Sequence, residues 1–559
     1  MKNWKKLSMS AVTLAAVGVA LAGCSSSSDG GDKSSTKSAR AVSDYITAPV
    51  QSLDPALITD TYSSIVVGNT SSGLTRVDSE GVAQPDLAEK IEASEDGLSY
   101  TITLRKDLVW SNGDSITSED FVYSWQRAID PATGSEYAYL MAPIKNADAI
   151  NSGENKDVKS LGIEAEDDLT LKVSLEAPTP YFESLVSMSI FFPLEQSVVE
   201  EYGKQYGTSS EKTLYSGPFK FTDENNWNGS NTTLSIYKND DYWDAESVVS
   251  DEIKLQVVED VNTAYNLYKQ GDTDRTSVAD PSLYKLYKDD ENRVDIPDAT
   301  TAYMEFNQSD KGATSPEAQK ALQNKNIRKA IILATNREAY IDQLTPSYKP
   351  ATGLSPAGLA VTADGEDFAE YAAQDYKYDA AEAKEYWEKG LKELGYDSLT
   401  LEFLTDDSDL AKDAATFFKQ SWEKDLPGLT LELKTVPFKQ RLNDSSNGNF
   451  DIVNTLWGGD YADPSTFLDL MKTGSPQNKG GLSNEAVDKA LESAHNENSM
   501  DPEKLYEDYK AVEVALFEES SINPIYFRSR PTLVNPNLKG VSYNATGLNS
   551  DYKYAYIEE

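Results

Sequence analysis

The chain alternates between two hydrophobic rhythms. In Tyr100-Thr-Ile-Thr-Leu-Arg105 every second residue is apolar, which predicts a strand with Tyr100, Ile102 and Leu104 on one face. The same period recurs at Leu169, Leu171, Val173 and Leu175, at Ile253, Leu255 and Val257, and at Leu429, Leu431 and Leu433. A three-to-four residue period takes over at 379–394. There Ala383, Tyr386, Trp387, Leu391 and Leu394 share a helical face, Asp379 is placed to cap the start, and Gly395 to end it. Another helix is predicted from about Asn326 to Ala334, with a fresh start at Asn336. These stripes read as core packing. No fixed-period repeat is evident, so a solenoid is not expected. Strands mixed with helices along most of the chain predict an α/β fold in two or three lobes.

The N-terminus departs from both rhythms. Lys2, Lys5 and Lys6 precede an apolar run from Leu7 to Ala22, and the first acid is Asp29. The run is short and ends in small residues, so it reads as a secretory signal over residues 1–23, not as a spanning helix. It closes with Leu21-Ala22-Gly23-Cys24, which resembles the lipobox of bacterial lipoproteins. That resemblance implies a lipid on the Cys24 thiol and cleavage just before it. Residues 24–40, rich in Ser and Gly, cannot bury a core and read as a flexible tether. The expected location is the outer face of a cell membrane, lipid-anchored, as on a Gram-positive cell.

Composition then narrows the chemistry. The 559 residues carry 92 acids against 51 basic residues, a net charge of −41. A surface that acidic does not hold nucleic acid, because affinity there comes from Lys and Arg on phosphates. Nor does such a body adsorb to anionic lipid without an anchor. One cysteine excludes a disulfide framework and Cys-based zinc sites, and one histidine excludes His-rich catalytic metal sites. No metal or cofactor is expected. The 32 Tyr and 8 Trp suit a binding surface more than a reaction centre. The usual zinc-hydrolase, serine-hydrolase and phosphate-loop motifs are missing. Carboxylate pairs such as Asp406 and Asp407 say little in so acidic a chain, and a two-carboxylate glycosidase stays as a remote alternative.

Several segments carry a more specific signal. Ser94-Glu-Asp-Gly-Leu-Ser-Tyr-Thr-Ile-Thr-Leu-Arg-Lys-Asp-Leu-Val-Trp110 leads through a turn at Asn112-Gly113 to a helix capped by Thr117 or Ser118 and running past Trp125. Ser52-Leu-Asp-Pro55, Tyr215-Ser-Gly-Pro-Phe219, Tyr303-Met-Glu-Phe-Asn307, the stretch Ile327–Glu338, and Trp457-Gly-Gly-Asp-Tyr-Ala-Asp-Pro464 follow in order. Together these segments resemble the family 5 extracellular solute-binding proteins, the peptide-binding components of ABC importers.

The resemblance implies a periplasmic-binding-protein-like α/β fold: two discontinuous lobes joined by a hinge, with an inserted subdomain. Lobe I is expected at 41–75, 191–299 and 523–559, the subdomain at 76–190, and lobe II at 300–522. It implies a receptor, not an enzyme, that captures oligopeptides and passes them to the permease subunits of an importer. A monomer is expected. A signalling-peptide receptor on the same fold is the alternative. Asp460 corresponds to the family's carboxylate that pairs with the peptide ammonium. Trp457, Gly458 and Gly459 correspond to its ligand-binding segment, where glycines let another backbone approach. Tyr303, Glu305 and Tyr137 correspond to cleft walls. Asp463 is expected to cap the helix after Pro464. The single histidine, His495, lies in a polar helical stretch and is expected to be solvated, which leaves the partner of the ligand carboxylate unplaced.

Overall fold

The computed structural model describes residues 41–58 and 60–558. The signal, the tether and Cys24 lie outside the described residues.

The period-two segments are strands. Ser99–Leu104 buries Tyr100, Ile102 and Leu104, and Leu171 and Val173 stand opposite Ile102 and Tyr100 on Thr170–Ser174. With Ala88–Ala93 and Ile163–Asp167 they form an antiparallel four-stranded sheet. The helix Ser118–Ile129 begins where the Thr117 backbone N–H donates to the Asp120 carboxylate (2.7 Å), and sends Phe121 and Trp125 into that sheet's core. A second sheet pairs Val42–Ile46 in parallel with Glu252–Val257, then adds Thr233–Lys238 and Phe219–Lys220. A third joins Arg275–Ser277, Arg530–Val534 and Arg293–Ile296.

The largest sheet has six strands, in the order Lys349–Pro350, Ile522–Phe527, Thr300–Phe306, Ile452–Gly458, Leu399–Asp406 and Leu429–Val436. All seven residues of Thr300–Phe306 are buried, as expected of a central strand covered on both faces. On the edge strand Leu429 and Leu431 point inward, but Leu433, expected on the same buried face, is exposed. Helix Ala380–Leu394 starts at Asp379, whose carboxylate accepts from the N–H groups of Ala381 and Glu382, and ends at Gly395 with φ +75°. Helices Lys325–Leu333 and Arg337–Leu344 are capped by Asn324 and Asn336.

Trp110, Trp125, Trp227, Trp387 and Trp422 are all fully buried. The tryptophans read as suited to a binding surface are therefore largely core, where a large ring removes the most apolar area from water.

This is a two-lobed α/β fold. The chain leaves the three-stranded sheet for the six-stranded one through Pro297-Asp298-Ala299 and returns through Arg528-Ser529. The two crossings run side by side, with the Arg528 N–H donating to Thr300 O (3.0 Å). Asn523-Pro-Ile-Tyr-Phe527, expected to open the return to lobe I, instead pairs with Thr300–Phe306 inside the six-stranded sheet. Its residues are buried throughout, so the change of lobe falls after Phe527.

Candidate functional site

The two crossings border a cleft of about 440 Å³ whose walls include Tyr45, Asp60, Tyr137, Gly458, Asp460 and Arg528. Both lobes contribute to it.

One wall is built by an incompletely paired strand. Ile452–Gly458 is bonded along its whole length to Thr300–Phe306. On its other side Leu399–Asp406 pairs only with Ile452 and Val453, so among the described residues Asn454–Gly458 present a bare edge. Such an edge offers unsatisfied N–H and C=O groups to any extended chain. The strand ends in two glycines with different duties. Gly458 is exposed, and a Cβ there would meet nothing nearer than 3.6 Å. Gly459 donates to Ala299 O (2.7 Å), and a Cβ there would press on Phe467 at 3.0 Å and Leu359 at 3.2 Å.

Asp460 follows directly. Its N–H donates to Thr466 Oγ1 (3.0 Å), and its carboxylate accepts from the Tyr139 hydroxyl (3.3 Å). Burial pushes the carboxyl up to about 6, against the opposing effect of that hydrogen bond. A carboxylate held this way is short of positive partners. Tyr137 lines the same cleft, its ring edge-on to Tyr139 with centroids 6.1 Å apart. Beyond Asp460 the Tyr461 ring stacks on Tyr181 at 4.2 Å. Asp463 is buried and accepts from the Ser465 N–H (2.9 Å), at the start of the helix Ser465–Leu468.

The structure thus gathers Asp460, Gly458, Gly459 and Tyr137 at one cleft and leaves the other candidates outside its lining. Trp457 is half-buried, packed with the cluster of Phe467 and Leu359. Tyr303 and Glu305 are buried on the sheet face beneath. Glu305 accepts from the Gly480 N–H (2.7 Å), and burial pushes its carboxyl up to about 7. Its place is that of a buried brace for the 480 turn, because its whole strand is covered on both faces. His495 is not solvated: it is mostly buried, and its Nε2 lies 2.7 Å from Asp469 Oδ1. Burial disfavours its charge, but Asp469 outweighs that and raises its pKa.

Sequence reasoning missed Tyr139, Asp298, Arg528 and Arg530. Tyr139 was within reach, two residues from Tyr137 on the short helical turn Ala138–Met141. The arginines left one signal, two cations in three residues of a strongly acidic chain. Among the described residues no group of three or more His, Cys, Asp or Glu could hold a metal ion, and no helix is long and apolar enough to cross a membrane.

Residues 82–479 match the family described as bacterial extracellular solute-binding proteins, family 5 middle. The chain is 48% identical to the dipeptide-binding protein of Lactococcus lactis subsp. cremoris, over 100% of both chains. Listeria monocytogenes OppA bound to peptide is 37% identical with a TM-score of 0.71, covering 94% of this chain and 100% of that one. The periplasmic murein tripeptide-binding protein MppA, in its unliganded open form, is 28% identical with a TM-score of 0.78, covering 93% and 98%. With a two-lobed fold, a cleft at its crossings and likeness along the full length, the chain belongs to the family 5 bacterial extracellular solute-binding proteins.

Proposed function

We propose that this protein is an extracellular receptor that captures short peptides in the cleft and hands them to the permease subunits of an ABC importer. The observation that carries the reading is the half-buried Asp460 carboxylate, with no ion-pair partner among the described residues, at the end of a strand whose last five residues have a bare edge. A peptide supplies what both lack. Its ammonium pairs with Asp460, its main chain adds to the Asn454–Gly458 edge, and Tyr137 and Tyr139 wall the first residue. Gly458 gives the ligand backbone room. Trp457, Tyr303 and Glu305 act from behind, holding the strand and the turn that present these groups. The inserted part, 76–190, covers the ligand from the other lobe.

Binding is tested by calorimetry on a dipeptide and its N-acetylated form, with wild type and Asp460→Asn. A buried charge pair that loses one partner costs about 3–5 kcal/mol, a fall of roughly two to four decades in affinity. Either change should produce a loss of that size, and the two together should add little. Unchanged affinity in both overturns the assignment. Mass spectrometry of co-purified ligand separates the roles: a ladder of unrelated peptides fits nutrient uptake, one defined sequence fits signalling, and a sugar refutes both. The single cysteine gives the anchor. Lipid on Cys24 would tether the receptor, and Cys24→Ser should release it from the membrane fraction. Retention there would make the leader a spanning segment.

A further inference from the structure

Three successive residues leave the six-stranded sheet and end against a different core. Asp460, Tyr461 and Ala462 follow the strand Ile452–Gly458, and each is met by a side chain from the body of the four-stranded sheet. The Asp460 carboxylate accepts from the Tyr139 hydroxyl (3.3 Å). The Tyr461 ring lies flat on Tyr181, with centroids 4.2 Å apart and planes 10° from parallel. The Ala462 N–H donates to Ser184 Oγ (3.2 Å). Tyr139, Tyr181 and Ser184 are themselves rooted. Their chain neighbours Leu140, Met141, Phe182 and Leu185 are buried with Ile102 in the core of the four-stranded sheet.

The three contacts differ in strength. Tyr139 is 47% exposed, so water competes for its long hydrogen bond to Asp460. The Ala462 contact is a single neutral hydrogen bond. The stack is the firmer tie: both rings pack against the four-stranded-sheet core, and burial raises both hydroxyls well above the ordinary tyrosine value. Tyr461 is one residue, about 3.8 Å along the backbone, from Asp460. On the other side Gly459 donates to Ala299 O (2.7 Å). Asp460 therefore sits between two anchors, one at the crossing and one on the core across the cleft.

We propose that Tyr181 is a positioning residue for peptide capture: through its stack on Tyr461 it holds Asp460 beside Tyr137 and Tyr139 in the free receptor, so that the ammonium subsite is complete before a ligand enters. The inference rests on the peptide reading above. Tyr181 lines no part of the cleft and acts only through Tyr461. A carboxylate already fixed in place loses less freedom on binding than one on a loose segment. Without the Tyr181 ring, residues 460–462 are released from the four-stranded-sheet core and water reaches the carboxylate. The other titratable groups nearby are Tyr137 and Tyr139 at Asp460, Asp463 and Asp469 at Tyr461, and His495 paired with Asp469. A change in the pH profile is therefore read against Asp460→Asn.

The test is calorimetry of the full chain with Ala-Ala from pH 8 to pH 4.5, on wild type, Tyr181→Phe and Tyr181→Ala. Tyr181→Phe keeps the stack and should keep wild-type affinity and pH profile. Tyr181→Ala should lower affinity at pH 8 by about tenfold or more. The pH below which binding weakens should also fall from about 6 toward the ordinary aspartate value of about 4, as the carboxyl gains water. In an Asp460→Asn background the same substitution should lower affinity by less than about threefold, because the group it positions is gone. Wild-type affinity and profile in Tyr181→Ala overturn the proposal. So does an equally large loss in the Asp460→Asn background, which would make Tyr181 a general brace of the fold. If Tyr181→Ala sharply lowers the melting temperature, Tyr181→Leu, which keeps apolar volume without the stack, decides by the same readings. Failure of the peptide reading looks different: Ala-Ala binds neither wild type nor Tyr181→Phe, or binds wild type and Asp460→Asn equally, and this inference falls with it.

Discussion

Asp460 is a desolvated acid with no ion-pair partner among the described residues, a setting that suits an incoming cation. Burial raises its carboxyl to about 6, and the Tyr139 hydroxyl is its one side-chain donor among the described residues. Pairing with a ligand ammonium favours the charged form, so the bound-state pKa must lie below the free-state value. Binding is then at full strength above about pH 6. It weakens roughly tenfold per unit as pH falls below that value, because each complex formed must first release a proton. Titrating affinity for a dipeptide from pH 8 to pH 4.5 should reveal that slope, and Asp460→Asn should flatten it. A slope of the same size in the variant would assign the proton elsewhere. Glu305 is also raised by burial, to about 7, but its partner is the Gly480 backbone and it lines no part of the cleft. At this scale the sequence singled out both Asp460, which lines the cleft, and Glu305, which does not, and could not separate them. Both are acids in strand-like segments; burial against a turn or against a cleft is decided by what packs above the strand.

At the scale of elements, the segment Ile452–Asp460 combines a strand, a bare edge and two glycines. Sequence supports equal roles for Gly458 and Gly459; the structure divides them. Gly458 faces open space, whereas Gly459 sits against Phe467 and Leu359. Gly459→Ala should displace Asp460 and lower peptide affinity by tenfold or more, while Gly458→Ala keeps the wild-type melting temperature. Thermal melts and calorimetry of the two variants check this, and equal affinity loss in both would remove the distinction. Strand and helix positions were legible because each has a local cause. Tyr100, Ile102 and Leu104 alternate, Asp379 caps, and Gly395 terminates with positive φ. The last strand of lobe II was not. Asn523–Phe527 carries no turn or linker signal, and its place in the six-stranded sheet is fixed by pairing with residues more than 200 positions away.

For the whole molecule, the two crossings at 297–299 and 528–529 are the connections about which the lobes can rotate. The backbone follows the unliganded open relative more nearly than the peptide-bound one, although the latter is closer in sequence. Adding a bound peptide should draw the lobes together and reduce the radius of gyration in small-angle scattering. No change on saturation with peptide would exclude hinge closure as the response. The sequence by itself determined the α/β class, the acidic balance and the order of the family's segments, since all of these are written in local pattern and composition. The tertiary structure alone decided which charges share the cleft. Asp460, Asp298, Arg528 and Arg530 come from distant segments, and the setting of each is fixed by its burial and by the charges packed beside it. A linear pattern records neither, because desolvation and unpaired charge exist only once the chain has been packed around them.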